Sequence, residues 1–310
     1  MTTKNYGLIR NLDELKKLTD HVMSKPDCEV GFDVETGYDG DDRERGALGI
    51  HTLNYVTGFS FTNDPSWARY VPIRHDYVQN VDEEKAIEVV KPLLETHPII
   101  AHNLKFEAAN MANYDVTIDI SKSHCTLVQA FCLSDWELIG LKPLVAQMFG
   151  HQMTEIYDLF PGLAQNKRPA LRFNVLDLSP KVVAYACEDS AWCLGVHKVN
   201  WPRVQKEREF VYKLEMQVME TLLRMEKHGV AMDWDQMRNV LAEAELFIPR
   251  MEMEVKAQLG AVAGRNLSTL NLASPKQIQE LFFGEFGWKS VRKTKAGKDS
   301  TDAVALEKLS

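Results

Sequence analysis

The sequence predicts an α/β fold over roughly its first 200 residues, followed by an all-α segment. Three observations lead there. Short apolar runs of strand length stand at Cys28-Glu29-Val30-Gly31-Phe32-Asp33, at 55–62, at 67–73 and at 98–103. Stretches of helical period alternate with them. From about residue 203 the character changes to long apolar stripes at helical spacing only.

Taken in order, residues 8–25 read as a lead-in and a short amphipathic helix, with Leu12, Leu15 and Leu18 at helical spacing and Asn11 or Asp13 as the cap. The run ending in Asp33 is a strand, and residues 37–52, rich in Gly, Asp and Arg, form a long loop. Residues 55–62 and 67–73 are strands joined by the turn Asn63-Asp64-Pro65, which with the first strand makes an antiparallel meander. A helix through Ala86, Val89, Val90 and Leu93 precedes the buried strand Pro98-Ile99-Ile100-Ala101-His102-Asn103, and a helix follows over 103–113. Segments 124–134, 141–149 and 179–200 are helical by period, so helices cover the sheet.

In the second part, Val211, Leu214, Val218, Leu222 and Met225 form a stripe that stops at His228-Gly229, a helix C-terminus. Asp233 caps a second long helix to Leu259-Gly260, completing a helical hairpin. Ser274-Pro275 starts a further helix, because Pro at the first helical position behind a Ser cap is a start signal. The stretch 289–298 holds Lys289, Arg292, Lys293, Lys295 and Lys298 and no acidic residue.

Composition narrows the function classes. At 310 residues the chain suits two domains. No run of about eighteen apolar residues and no apolar signal core appear, which excludes a membrane partner and leaves a cytoplasmic location, the host cytoplasm for a phage protein. The five cysteines lack any Cys-x-x-Cys pair and read as reduced thiols, with His124-Cys125 a buried pair rather than metal ligands. A net charge of −8 argues against a surface that is everywhere a nucleic-acid footprint, without excluding local contacts.

Chemistry begins at Asp33 and Glu35. Strand geometry turns both to one face, where they can hold a divalent cation, although acids at strand ends are commonplace. Two later stretches supply more ligands. Glu107 stands in the first turn of the helix after the Pro98–Asn103 strand, and Tyr185 and Asp189, four apart, project from one helix face. Separately, each has a dull explanation: a helix-dipole complement for Glu107, a half-buried ring beside a solvated acid for the others. In this order and on these elements, chance is a poor explanation.

Asp33-Val34-Glu35, Asn103 through Glu107 and Tyr185 through Asp189 resemble the three exonuclease motifs of the DEDD superfamily, in its tyrosine-bearing branch. The stretches 223–233, 271–277 and 293–301 resemble the start of the polymerase region of family A DNA polymerases, including the thumb. The resemblance implies a ribonuclease H-like mixed sheet flanked by helices, then an all-α helical hairpin and thumb-like segment. It implies a 3′-5′ exonuclease domain at 1–202 and the start of a polymerase region at 203–310, without palm and fingers motifs, so that this chain alone does not polymerise DNA.

The implied reaction is two-metal phosphodiester hydrolysis with two Mg2+ or Mn2+ ions held by Asp33, Glu35, Glu107 and Asp189, Asp33 bridging them. Tyr185 orients the attacking water. Thr36 and Asn103 contact the terminal nucleotide of a single-stranded or frayed DNA 3′ end, and Lys289, Arg292, Lys293, Lys295 and Lys298 contact duplex phosphates through the thumb. A second chain carrying palm and fingers is a further implied partner. One departure is Glu107, where the family usually has Asp. The competing reading, of another class, is a catalytically weakened DNA-clamping or assembly subunit.

Overall fold

The computed structural model describes residues 4–38, 54–133, 138–160, 173–294 and 297–308. Six strands form one mixed sheet: β1 (Asn5–Leu8), β2 (Val30–Tyr38), β3 (Asn54–Thr62), β4 (Trp67–Pro72), β5 (Ile99–Ala101) and β6 (His124–Cys125). Their spatial order is β1-β4-β3-β2-β5-β6. The expected meander is present, since β2 pairs antiparallel with β3 and β3 antiparallel with β4. The outer pairs β1–β4, β2–β5 and β5–β6 are parallel. This is the ribonuclease H-like mixed sheet flanked by helices that the sequence led us to expect.

β2 is longer than its apolar run, continuing through Glu35, Thr36 and Gly37. The acidic pair therefore lies within a paired strand rather than at a strand end. The rest of the expected 37–52 loop, from residue 39, lies outside the described residues. Alternation along β2 sorts its side chains: Phe32 and Val34 enter the main hydrophobic core, while Asp33 and Glu35 face the other way. That core is closed by α1 (Leu12–Met23) and α2 (Glu83–Thr96). Asn11 is the α1 cap, its side chain accepting the Glu14 N–H at 3.0 Å.

The 124–134 segment opens with the two residues of β6 before α4 (Thr126–Leu133) begins. α3 (Leu104–Ala112) and α5 (Leu141–Phe149) follow the expected bounds closely, and α6 (Pro180–Glu207) runs past its expected end at 200. α6 lies against β2 at Gly31, where an added Cβ would stand 2.3 Å from the Ser190 carbonyl oxygen. Only glycine permits that approach.

Two compact units divide after Gly229. The boundary falls beyond the change of character at 203 because α7 (Glu209–His228) buries Tyr212, Met216 and Met219 in the core of the first unit. Tyr212 also accepts the Cys125 backbone N–H at 3.1 Å.

The second unit, residues 230–310, holds α8 (Trp234–Ala263), α9 (Pro275–Gln279) and α10 (Ala303–Glu307). Asp233 caps α8 by accepting the Gln236 N–H at 2.9 Å, and Ser274 caps α9. One π-helical turn over Glu280–Glu285 follows α9, and its Phe282 forms an aromatic cluster with Phe286 and Trp288 just after it. α8 buries no side chain, and Leu246 and Phe247 stand exposed. Among the described residues no helix is long and apolar enough to cross a membrane.

Candidate nuclease site

The acids from the three stretches come into mutual electrostatic range. Burial pushes the Asp33 carboxyl well above its ordinary range, and the charges of Asp189, Glu35 and Glu107 push it further. Burial and Asp189 do the same to Glu35, against the opposing charge of Lys142. Glu107, only 4% exposed in the first turn of α3, is pushed up to about 8 by burial and by Asp189, and its Oε2 atom is buried without a partner. Asp189 is raised to about 6 by burial, with Lys142 opposing. Asp33, Glu35 and Asp189 each keep some exposed surface.

Local structure fixes these positions. Asp33 pairs across the sheet with Ser60, whose hydroxyl bonds the Ser190 hydroxyl of α6 at 2.8 Å. The Thr57 hydroxyl donates to the Glu35 carbonyl at 2.9 Å, and the register shifts between Glu35 and Thr36. A bulge of this kind re-aims the side chains beside it. Thr36 thus begins the stretch beyond the bulge. Asn103 is exposed at the start of α3 and its amide makes no capping bond, which leaves it free for a ligand.

Tyr185 is nearly buried, its ring stacked on Phe173 at 5.8 Å. Burial, then Glu35, Asp189 and Asp33, hold its hydroxyl protonated, a donor rather than a base. Of the neighbouring acids Glu188 and Asp189, only Asp189 belongs to the acidic cluster. Glu188 is occupied elsewhere, with His151 Nε2 at 3.1 Å and the Thr154 N–H at 3.0 Å.

Lys142 is the residue that sequence reasoning missed. Its ammonium donates to the Thr154 carbonyl at 2.7 Å, pairs with Glu155 at 3.2 Å and lies 4.9 Å from the Tyr185 ring centroid. No motif marks it, since its proximity to Glu35 and Asp189 arises only from folding.

One buried and three partly buried carboxylates against one amine form an all-oxygen donor set with an unbalanced negative charge, which suits hard divalent cations such as Mg2+ or Mn2+. The four acids are not drawn into one tight chelate. Among the described residues, three ligand atoms gather within 4.8 Å of one another only at Glu29, His124 and His197.

The basic residues of the second unit divide. Arg292 pairs with Asp302 at 3.1 Å and Lys293 pairs with Asp299, whereas exposed Lys289 and Lys298 have no ion pair among the described residues. Lys295 lies outside the described residues.

The chain is of ribonuclease H-like architecture. In sequence it is similar to DNA polymerase I of Pseudomonas aeruginosa, 24% identical over 311 residues, covering 91% of this chain and 32% of that protein. It is similar to DNA polymerase DpoZ of Vibrio phage phiVC8, 27% identical over 288 residues, covering 84% of this chain and 43% of that one.

In structure it is similar to the polymerase domain of Pol1 from M. smegmatis, solved with DNA primer-template and dNTP, at a TM-score of 0.59 and 19% identity, covering 98% of this chain and 45% of that one. It is also similar to Escherichia coli RNase D, an exoribonuclease, at a TM-score of 0.51 and 15% identity, covering 73% and 52% of the two chains. No family model matches the sequence. The chain therefore resembles a nuclease-like region of DNA polymerase I and spans less than half the length of the polymerases it matches.

Glu107→Asp moves a carboxylate back by about an ångström or more, and a misplacement of that size costs on the order of a hundredfold in rate. With these acids as the metal ligands of the exonuclease proposed below, the expected result is slower release of a labelled nucleotide in single-turnover measurements. Faster release would mean that Glu107 is itself the brake.

Proposed function

We propose that the chain is a metal-dependent 3′-5′ exonuclease of the kind that proofreads for a DNA polymerase, removing nucleotides from single-stranded or frayed DNA 3′ ends. The observation that supports this reading most directly is the electrostatic grouping of Asp33, Glu35, Glu107 and Asp189, with Tyr185 one helical turn from Asp189. Those carboxylates hold two divalent cations, which when bound supply a nucleophilic water and charge stabilisation for the leaving 3′ oxygen. Tyr185, kept protonated, orients the water by donating a hydrogen bond. Lys142 offsets part of the negative charge at Glu35 and Asp189. Thr36 and Asn103 contact the terminal nucleotide.

The test uses DNA single strands labelled at either end, with Mg2+ or Mn2+, a chelator control and an Asp33→Ala control. Early release of the 3′ label as mononucleotide, by the parent only and only with metal, is expected. No release with either metal would favour the clamp or assembly reading, and release of the 5′ label first would overturn the polarity.

Duplex contacts fall to Lys289 and Lys298, because Arg292 and Lys293 already have acidic partners. Each phosphate contact contributes about 0.9 to the slope of log affinity against log salt. Changing Lys289 and Lys298 together to Ala is expected to lower that slope by up to about two, and the Arg292→Ala, Lys293→Ala pair to lower it less. Equal slopes across parent and variants would remove the second unit from DNA binding.

The exposed apolar side chains of α8 support a partner that covers them, such as a chain bearing palm and fingers.

A further inference from the structure

Away from the acidic cluster, three side chains from three elements meet at one point of the first unit. Glu29 precedes β2, His124 lies on β6 and His197 on α6, and one ligand atom from each falls within 4.8 Å of the others. His197 is eight residues beyond Asp189 on the same helix, about 12 Å along its axis. We propose that Glu29, His124 and His197 form a second cation site, selective for a zinc-class transition-metal ion, that ties the start of β2 and the C-terminal half of α6 to the sheet edge.

The donor set differs from the nuclease site in kind. Two imidazoles and one carboxylate suit Zn2+ and its neighbours, whereas an all-oxygen set suits Mg2+. Zinc bonds to nitrogen and oxygen of about 2.0–2.2 Å place adjacent tetrahedral donors roughly 3.3 Å apart. Glu29 Oε1 and His197 Nε2 already stand at 3.0 Å. The His124 and His197 rings stack with centroids 4.7 Å apart, so closure requires the two rings to turn until their in-plane nitrogen lone pairs converge.

The neighbouring polar groups supply the outer support that metal-bound histidines use. Tyr212 OH holds His124 Nδ1 at 3.1 Å, leaving Nε2 as the remaining nitrogen. Gln129 Nε2 stands 2.7 Å from His197 Nδ1, and Gln129 Oε1 is buried without a partner.

The two orientations of that amide select two states. With Nε2 toward Nδ1, the His197 proton sits on Nε2 and is donated to Glu29. With Oε1 toward Nδ1, the proton moves to Nδ1 and the Nε2 lone pair is free for a cation, with no net proton released. Glu29 is charged at neutral pH, because the His197 hydrogen bond lowers its carboxyl pKa. A cavity of about 440 Å3 bordered by Lys122, His124, Trp201 and Tyr212 adjoins the trio at His124.

This inference stands apart from the exonuclease reading. The test titrates chelator-stripped protein with Co2+, followed by its visible d–d absorption, and then displaces Co2+ with Zn2+. Trp201, its ring 4.2 Å from His124, gives a second signal through fluorescence. The parent and Asp33→Ala are expected to develop the same intense tetrahedral band, saturating at one equivalent, whereas Co2+ in an all-oxygen six-coordinate site absorbs only weakly. Glu29→Gln keeps an acceptor for His197 but loses the charge, and it is expected to lose the band, as is His124→Asn. Gln129→Leu is expected to weaken binding roughly ten- to a hundredfold.

Melting curves with and without Zn2+ identify any variant that has simply unfolded, and Glu29, partly exposed, serves as the mild one. A parent without the band, a folded Glu29→Gln that keeps it, or an Asp33→Ala that loses it would overturn the site. The first two results reduce the trio to an ordinary His–Glu hydrogen bond in the core.

Discussion

Asp33→Ala is expected to abolish metal-dependent nucleotide release while leaving the chelated protein more heat-stable than its parent. Losing one of the carboxylates that would hold the cations costs about 4 kcal/mol of transition-state stabilisation, on the order of a thousandfold in rate. The stability gain has a separate cause. Asp33 is desolvated and repelled by Asp189, Glu35 and Glu107, so its charge destabilises the folded chain.

The sign of the pH dependence follows. Unfolded carboxyl groups titrate near about 4, and in the folded chain Asp189 and Glu107 are raised to about 6 and about 8. Between those values the folded state binds more protons than the unfolded, so stability falls as pH rises. Calorimetry in chelator is expected to show the parent melting point dropping from pH 5 to pH 8, Asp33→Ala dropping less, and Mg2+ or Mn2+ reversing the drop. A parent that gains stability with pH in chelator would contradict the clustering of the acids.

Gly31→Ala is expected to harm both stability and chemistry. Its new methyl meets a backbone oxygen, Ser190 O, at 2.3 Å, and a backbone group cannot swing aside as a flexible side chain can. α6 must lift from β2, and α6 holds Tyr185 and Asp189. Overpacking costs about 1–3 kcal/mol or more, and about 3 kcal/mol corresponds to roughly 6–12 °C for a unit of this size.

Gly195→Ala is the matched comparison. It lies on the same helix, where an added Cβ makes only ordinary contacts of 3.6 and 3.8 Å. Removing glycine from a helix interior is expected to stabilise by roughly 0.5–1 kcal/mol. Melting curves and single-turnover rates of the two variants separate the close approach from a general intolerance of α6 to change.

Local signals made much of the fold legible in the sequence. Asn11, Asp233 and Ser274 cap helices as their side-chain chemistry dictates, and the alternation Phe32-Asp33-Val34-Glu35 assigned both faces of β2 correctly. The grouping of the acids rested on three short motifs whose order survives any loop length between them.

What stayed hidden depends on tertiary contact. Tyr212 draws α7 into the first unit by bonding to Cys125, a partner 87 positions away. Lys142 becomes part of the site through a loop at 154–155. His124 reads in the sequence as half of a buried pair with Cys125, and in space it also meets Tyr212, His197 and Trp201. No periodicity encodes such meetings.

The order of the strands has a further consequence. β2, which bears Asp33 and Glu35, is interior, paired with β3 from Gly31 to Tyr38 and with β5 at Val30 and Gly31, while the outermost strands β1 and β6 are four and two residues long. Local opening begins where few hydrogen bonds resist it. Amide exchange should therefore be fast at the two rims and slow along β2. The sheet can fray at its margins many times over without the acids ever losing their alignment, so the chemistry is lodged in the last part of the molecule to come apart.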